Sequence, residues 1–109
     1  MKFECHCGWL LIDQTDDLSC KGHFQSDQTW NALWDEIETR VIGRLADRKL
    51  TFEMAAMLLR QTFGEATRVA YQCPACGRLY LNDQHGTLHC YVPQDQATSK
   101  QILQAQPDA

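Results

Sequence analysis

The chain has 109 residues, of which 44% are hydrophobic and 22% are charged, values that fit one small globular domain with a modest core. Its formal net charge at pH 7 is −4. Because contacts to nucleic-acid phosphates need a basic surface, this charge argues against a general nucleic-acid binder and is more typical of a soluble protein or a binder of basic proteins.

The expected location of the chain is the cytoplasm. No apolar run approaches the roughly 18 residues that span a membrane, and residues 1–5 have no apolar segment typical of a secretion signal. Cytoplasmic thiols stay reduced, so the six cysteines indicate metal binding more than disulfides. The alternative is a secreted disulfide protein without its leader.

The first elements in chain order are short strands and turns. Residues 9–13 predict an apolar strand, and residues 18–25 predict a second strand that Gly22 weakens. A helix over residues 27–45 follows, with its fraying end at Gly43. One face of this helix is an apolar stripe of Trp30, Leu33, Trp34, Ile37 and Val41.

A second helix is predicted over residues 51–63. Thr51 supplies its N-cap, and Gly64 is predicted to end it in a left-handed conformation. The short connection between the two helices predicts an antiparallel hairpin.

The pattern then returns to strands. Residues 67–72 alternate and are rich in β-formers, and residues 78–81 and 87–92 predict a hairpin. Residues 94–109 are mostly polar, which predicts a mobile tail or a weak terminal helix.

Two short cysteine motifs carry the functional prediction. They read Cys5-x-Cys7-Gly8 and Cys73-Pro74-x-Cys76-Gly77. Each motif places two thiols across one tight turn, and the glycine allows the left-handed backbone that such a turn needs. Brought together, the two turns would form a tetrahedral cage of four thiolates, the geometry that zinc prefers.

A closed cage of four sulfurs has no open coordination position, so the predicted zinc ion is structural rather than catalytic. Iron is the less favoured metal. It stays an alternative because the ligand type alone does not separate iron from zinc. The remaining alternative is that these cysteines are buried or free thiols.

These motifs resemble those of the zinc-ribbon family, in which two such knuckles cap a small antiparallel sheet. The resemblance covers residues 2–13 and 67–92. It implies a metal-ligand set of Cys5, Cys7, Cys73 and Cys76. The chain departs from a minimal ribbon by a helical insertion at about residues 27–64. The predicted fold is therefore α+β, with a single domain over residues 1–93 and a zinc-ribbon sheet formed by both chain ends.

The other metal-capable residues are less informative. Cys20, His23, His89 and Cys90 could form a second site, but adjacent strand residues point to opposite faces, and buried cysteine as a small hydrophobe is commoner. His6, inside the first knuckle, could replace one cysteine as a ligand. The pair Cys20 and His23 is also the one nucleophile–base pair worth naming, and it has no orienting partner. We therefore expect no enzymatic activity.

The first helix offers two further features. Trp30 and Trp34 lie on its apolar stripe, which predicts burial in the core, and the alternative is an exposed patch that anchors a partner. Asp35, Glu36 and Glu38 are typical of a solvated helix face but could meet a basic partner.

In size, charge and knuckle arrangement the chain is similar to small bacterial immunity and antitoxin-like proteins, which bind and block a toxin domain. This resemblance implies a non-enzymatic protein-binding module with a basic toxin domain as partner, bound through the helical hairpin or residues 78–92. Within the helical hairpin, Trp30, Asp35, Glu36 and Glu38 are the candidate contact residues.

The first alternative is a zinc-ribbon accessory factor of transcription or translation. It would need the cations Lys2, Lys21, Arg68 and Arg78 to gather near the knuckles. The second alternative is a mononuclear iron redox protein.

Overall fold

In the computed structural model, which describes residues 1–105, the chain has an α+β fold with two antiparallel sheets and two long helical segments. This confirms the predicted fold class. The chain forms two compact units: residues 1–23 with 68–105, and residues 24–67. In the described part of the chain, no helix combines the length and apolar character that crossing a membrane requires.

The first unit contains the strands. They are β1 (Lys2–Glu4), β2 (Leu10–Ile12), β3 (Lys21–Phe24), β4 (Arg68–Gln72), β5 (Leu79–Asn82) and β6 (Leu88–Tyr91). Strands β1 and β2 pair antiparallel as one sheet, with Phe3 opposite Leu11. The other four form a second sheet in the order β3-β4-β5-β6. Both chain ends thus contribute strands as predicted, but they divide into two sheets rather than one.

The core of this unit lies around the two cysteine motifs. Its buried residues are Cys5, Leu11, Tyr71, Cys73 and Tyr80. The Phe3 ring packs edge-on against both tyrosines, with centroid distances of 5.4 Å to Tyr71 and 5.0 Å to Tyr80. Such edge-to-face contacts between rings are favourable beyond the apolar area that they bury.

A partly buried polar contact joins β4 to the end of β2. The carboxylate of Asp13 accepts hydrogen bonds from the Tyr71 hydroxyl at 2.6 Å and from the Lys21 ammonium at 2.7 Å. Burial and the neighbouring carboxylate raise the pKa of Tyr71 to about 12. The hydrogen bonds from Lys21 and Tyr71 hold the pKa of Asp13 below its usual value.

The C-terminal segment contacts the four-stranded sheet through one buried amide. Gln72 is 1% exposed; its Nε2 donates to the carbonyl of Ser99 at 2.9 Å, and its Oε1 accepts from the N–H of Ile102 at 2.9 Å. A Cβ on Gly22 would lie 3.0 Å from the Leu103 side chain, so this glycine in β3 makes room for it. The predicted mobility of residues 94–109 stays a prediction, and residues 106–109 lie outside the described part of the chain.

The second unit begins with a long helical segment. It consists of α1 (Asp27–Ile37), a π-helical turn (Glu38–Ile42) and α2 (Gly43–Ala46). The predicted bounds of 27–45 agree with this segment to within one residue, but the predicted fraying at Gly43 is wrong, because this residue keeps a right-handed φ of −61° and its N–H donates to the carbonyl of Glu38 within the π turn. A Cβ on Gly43 would lie 3.1 Å from the Glu38 carbonyl oxygen, which explains a glycine at this point of the helix.

The helix α3 (Phe52–Ala66) follows, and the Thr51 hydroxyl accepts from the N–H of Met54 at 3.2 Å as the predicted cap. The predicted stop at Gly64 is also wrong: the helix ends two residues later, where Thr67 turns extended with φ −96° and ψ 136°. Glycine tolerates helical as well as left-handed backbone, so its position near an end does not fix the end.

The core of the second unit is small. Leu33 and Ile37 are buried on α1, and Val41, Leu50 and Ala55 form a cluster with Leu58 packed against it. The two tryptophans of the α1 stripe are instead exposed, Trp30 by 44% and Trp34 by 40%. The predicted burial of both tryptophans is therefore wrong. The rest of the protein covers the smaller side chains of the stripe, Leu33, Ile37 and Val41, and leaves the two large rings partly exposed.

Candidate metal centre

The two cysteine motifs form two similar turns in the first unit. In the first, the N–H of Cys5 donates to the carbonyl of Trp9 at 2.8 Å, and the N–H of Gly8 donates back to Cys5 at 2.9 Å. In the second, the N–H of Cys73 donates to Arg78 at 2.9 Å, and Gly77 donates back to Cys73 at 2.8 Å. Both glycines are left-handed as predicted, with φ of 97° at Gly8 and 82° at Gly77.

The four sulfurs converge. The Sγ atoms of Cys5 and Cys76 lie 3.5 Å apart, those of Cys7 and Cys73 lie 3.6 Å apart, and all four lie within 4.8 Å of one another. A tetrahedral ion with metal–sulfur bonds of about 2.3 Å requires sulfur separations of about 3.8 Å. The arrangement can therefore hold one metal ion, whose identity the sulfurs alone do not decide. Cys5 and Cys73 are buried, whereas Cys7 is exposed.

Two further side chains touch the sulfurs, and sequence reasoning did not assign them to the site. The Tyr80 hydroxyl donates to Cys5 Sγ at 3.2 Å and accepts from the N–H of His6 at 3.0 Å. The Arg78 guanidinium donates to Cys76 Sγ at 3.3 Å. Arg78 and Tyr80 follow Cys76 at two-residue steps, so the alternation of side chains along an extended chain was the available signal in the sequence.

The thiols differ in how easily they ionise. Burial opposes ionisation of Cys76, but the backbone N–H and guanidinium of Arg78 lower its pKa to about 6. Burial likewise opposes ionisation of Cys5, and the Cys7 amide and Tyr80 hydroxyl outweigh it and lower the pKa. Burial raises the pKa of Cys73 to about 12. Since metals bind thiolates, ion binding must displace the proton held by Cys73.

The alternative of a second site does not form in residues 1–105, where Cys5, Cys7, Cys73 and Cys76 make up the one cluster of metal-binding groups. Cys20 and Cys90 pack against the hydrophobic core, which is the commoner role predicted for them. His89 instead pairs with Asp83 at 2.8 Å, and His23 is exposed. His6 is exposed, and its ring stacks on Tyr80 at 6.2 Å between centroids.

The candidate partner residues all lie on the surface of the helical unit. Trp30, Asp35 and Glu36 are exposed on α1, and Glu38 is exposed in the π turn. Glu36 pairs with Arg40 at 3.2 Å, whereas no ion pair in residues 1–105 engages Asp35 or Glu38. Trp30 and Glu38 share one row of the helix at i and i+8, with Trp34 between them, while Glu36 lies on another side.

Comparison with known proteins places the chain in a family but gives it no characterised relative. Curated proteins gave no match, and solved structures gave none either. The family described as "Domain of unknown function (DUF8617)" matches residues 1–95, a span that includes both cysteine turns and the whole helical unit. The chain therefore belongs to the DUF8617 family.

Proposed function

We propose that the four cysteines hold a structural Zn²⁺ and that the chain is a non-enzymatic protein-binding module. The observation that carries the first half is the convergence of four sulfurs within 4.8 Å. Four protein ligands complete a tetrahedral shell, so the ion has no position at which a substrate or activated water could bind. Iron is the competing ion. The zinc-ribbon resemblance of the two turns supports zinc.

The protein-binding half is supported by the apolar surface of the helical unit. Phe52 is 75% exposed, Met57 71%, Met54 50% and Trp30 44%. Single exposed apolar side chains are ordinary, but a concentration of large ones on one small unit is typical of an interaction surface. The unit is inserted between the two cysteine turns, so zinc would stabilise the scaffold that carries it.

We further propose a bacterial immunity protein of the cytoplasm that blocks a basic toxin domain. The net charge of −4 favours a basic partner. Trp30 supplies an aromatic anchor of the kind that dominates interface energetics. Glu38 lies on the same row of the helix two turns later, and Asp35 lies beside Trp34 on the adjacent side; within residues 1–105 neither acid has an ion pair. Glu36 is the weakest of the four candidate contacts because Arg40 already neutralises it.

The experiment is an affinity purification of the tagged full chain from its own cells, with and without nuclease. We expect one basic protein to be recovered in stoichiometric amount, and its association with the chain to persist after nuclease treatment. The variant Trp30→Ala with Asp35→Lys and Glu38→Lys should lose it. A matched control, Trp9→Ala with Glu4→Lys and Asp16→Lys, makes the same three kinds of change at exposed positions outside the helical unit and should retain it.

Two outcomes would contradict the proposal. Equal recovery of the partner by both variants would remove Trp30, Asp35 and Glu38 from the interface. Recovery of ribosomal or polymerase components that vanish with nuclease would favour the nucleic-acid accessory factor. Against that factor, two of its four candidate cations are engaged within the protein, Lys21 by Asp13 and Arg78 by Cys76.

A further inference from the structure

A groove on the helical unit lies on α3 and differs in character from the row that contains Trp30. It has a volume of about 600 Å³ and is lined by Arg44, Leu50, Met54, Met57, Leu58, Arg60 and Gln61. Met54, Met57, Leu58 and Gln61 are spaced i, i+3, i+4 and i+7, so they form one stripe along α3. The adjacent stripe of this helix, about a quarter turn away, contains Ala55 and Thr62, which are buried. The apolar face of helix α3 is therefore broad, and the protein buries one side of it and leaves the side with Met54 and Met57 exposed.

The charge on the sides of this groove is positive. Arg44 lies on α2 and Arg60 on α3, and both are exposed. In residues 1–105 neither guanidinium has an ion pair or a side-chain hydrogen bond, whereas nearby Arg40 has Glu36. Two unpaired cations beside an apolar floor are complementary to apolar groups flanked by carboxylates.

The side chains of the floor also suit a peptide. Methionine is unbranched and polarisable, and it adapts to irregular apolar partners. The floor from Met54 to Gln61 extends over two turns of α3, about 11 Å at 1.5 Å per residue. That length matches the i, i+3, i+4 and i+7 anchors by which an amphipathic helix lies in a groove.

We propose that this groove binds an acidic amphipathic segment of a partner protein. Apolar side chains of the segment contact Met54, Met57 and Leu58, and its flanking carboxylates pair with Arg44 and Arg60. The inference rests on the groove alone and not on the immunity function, whose basic partner would use the α1 row instead.

The test uses methyl NMR of the zinc-loaded full chain labelled at its methionines. The chain has three methionines, of which Met54 and Met57 lie in the groove and Met1 lies elsewhere as an internal control. The probe is a synthetic helical peptide with leucine and phenylalanine anchors and glutamate flanks. A peptide with the same anchors and lysine flanks is its control. We expect the acidic peptide to shift Met54 and Met57 but not Met1.

Arginine variants test the charge part of the proposal. Arg44→Gln with Arg60→Gln should weaken binding of the acidic peptide about tenfold or more, since both charge pairs are lost. The matched control Lys2→Gln with Arg68→Gln removes the same charge outside the helical unit and should change binding little.

Several results would overturn the proposal. They are the absence of shifts at the highest soluble peptide concentration, equal binding of the acidic and basic peptides, and equal weakening by the two double variants. Shifts of Met54 and Met57 with a fatty-acid anion but not with the acidic peptide would assign the groove to a lipid and reject a protein segment.

Discussion

The Tyr80 hydroxyl donates a hydrogen bond of 3.2 Å to the sulfur of Cys5, across 75 positions of sequence. The same oxygen accepts from the N–H of His6, so one side chain of β5 holds both the ligand and the turn that carries it. Hydrogen bonds to ligating atoms orient the ligand and tune its basicity. The four cysteines alone are therefore an incomplete description of the centre.

Tyr80→Phe should weaken zinc binding about tenfold or more, the usual effect of losing such a contact. The ring that packs on Phe3 is retained, so the change isolates the hydroxyl. Competition against a coloured zinc chelator measures the affinity. Tyr91→Phe, at a position that is 56% exposed, is the control; a Tyr80 variant with the affinity of this control would show that the hydroxyl does not support the site.

Removal of zinc at neutral pH should destabilise the protein strongly. The proposed ion would tie Cys5 to Cys76, 71 positions later, and Cys5 and Cys73 form part of the core of the first unit. We expect the melting temperature to fall by more than about 10 °C, which corresponds to a loss of a few kcal/mol. Differential scanning calorimetry with and without chelator measures it.

The Cys76→Ala variant should melt near the chelated protein, and chelator should lower its melting temperature little further. Cys20→Ala is the control, because it removes a core thiol that lies outside the cluster. Full thermal stability after complete zinc removal would contradict a structural role for the ion. Metal analysis of the purified protein separates zinc from iron, whose oxidised thiolate complex would also be coloured.

Two glycines should respond to alanine in opposite directions. Gly77 has φ 82°, and a Cβ there would lie 3.2 Å from Pro93 and Lys100. Gly77→Ala should therefore lower the free energy of unfolding by about 1–2 kcal/mol or more. Gly64 is helical with open space around it, so Gly64→Ala should raise it by roughly 0.5–1 kcal/mol. Urea denaturation measures both, and a stabilised Gly77 variant would contradict the geometry of the second turn.

The Asp13 carboxylate should make stability depend on pH. Its pKa is lowered in the folded state, so its contribution is present above the unfolded value of about 3.9 and is lost as pH falls through the folded value. Asp13→Asn should cost roughly 1–3 kcal/mol at pH 7, because it weakens the contacts with Lys21 and Tyr71.

The difference between the wild-type protein and Asp13→Asn should shrink on going from pH 7 to about pH 3. Comparing the two proteins at each pH cancels the loss of zinc that acid causes in both. The exposed Asp16→Asn variant should behave like the wild type at every pH. A constant gap between wild type and Asp13→Asn across this range would show that the carboxylate charge contributes nothing.

Local patterns of the sequence predicted the class of fold and the positions of its elements. The apolar period of 3.6 identified both helices, the alternation after Thr67 identified β4, and paired cysteines followed by glycine identified both turns. These signals succeed because each depends on the geometry of only a few neighbouring residues. The two predictions drawn from glycine, fraying at Gly43 and a left-handed stop at Gly64, were wrong, because both residues stay helical.

Features that depend on distant parts of the chain were not predictable in this way. The exposure of Trp30 and Trp34 depends on how much of the α1 stripe its neighbours cover. The contact between Tyr80 and Cys5 depends on the pairing of β5 with β4 and on the meeting of the two turns. In the sequence, the exposed apolar side of α3 is indicated only by Met54 and Met57, which make the apolar stripe of this helix unusually broad.

The buried amide of Gln72 has a practical consequence for the choice of fragment boundaries. The family match stops at residue 95, yet this amide takes its partners from Ser99 and Ile102. A fragment cut to the family boundary would leave the buried Oε1 of Gln72 without the N–H of Ile102 and would leave its Nε2 only the carbonyl of Gly77 at 3.2 Å. It would also uncover the space that Gly22 leaves for Leu103. The stretch that completes the hydrogen bonds of Gln72 and the packing beside Gly22 is thus longer than the stretch that the family model matches, and we expect a fragment that extends beyond Leu103 to be the more stable one.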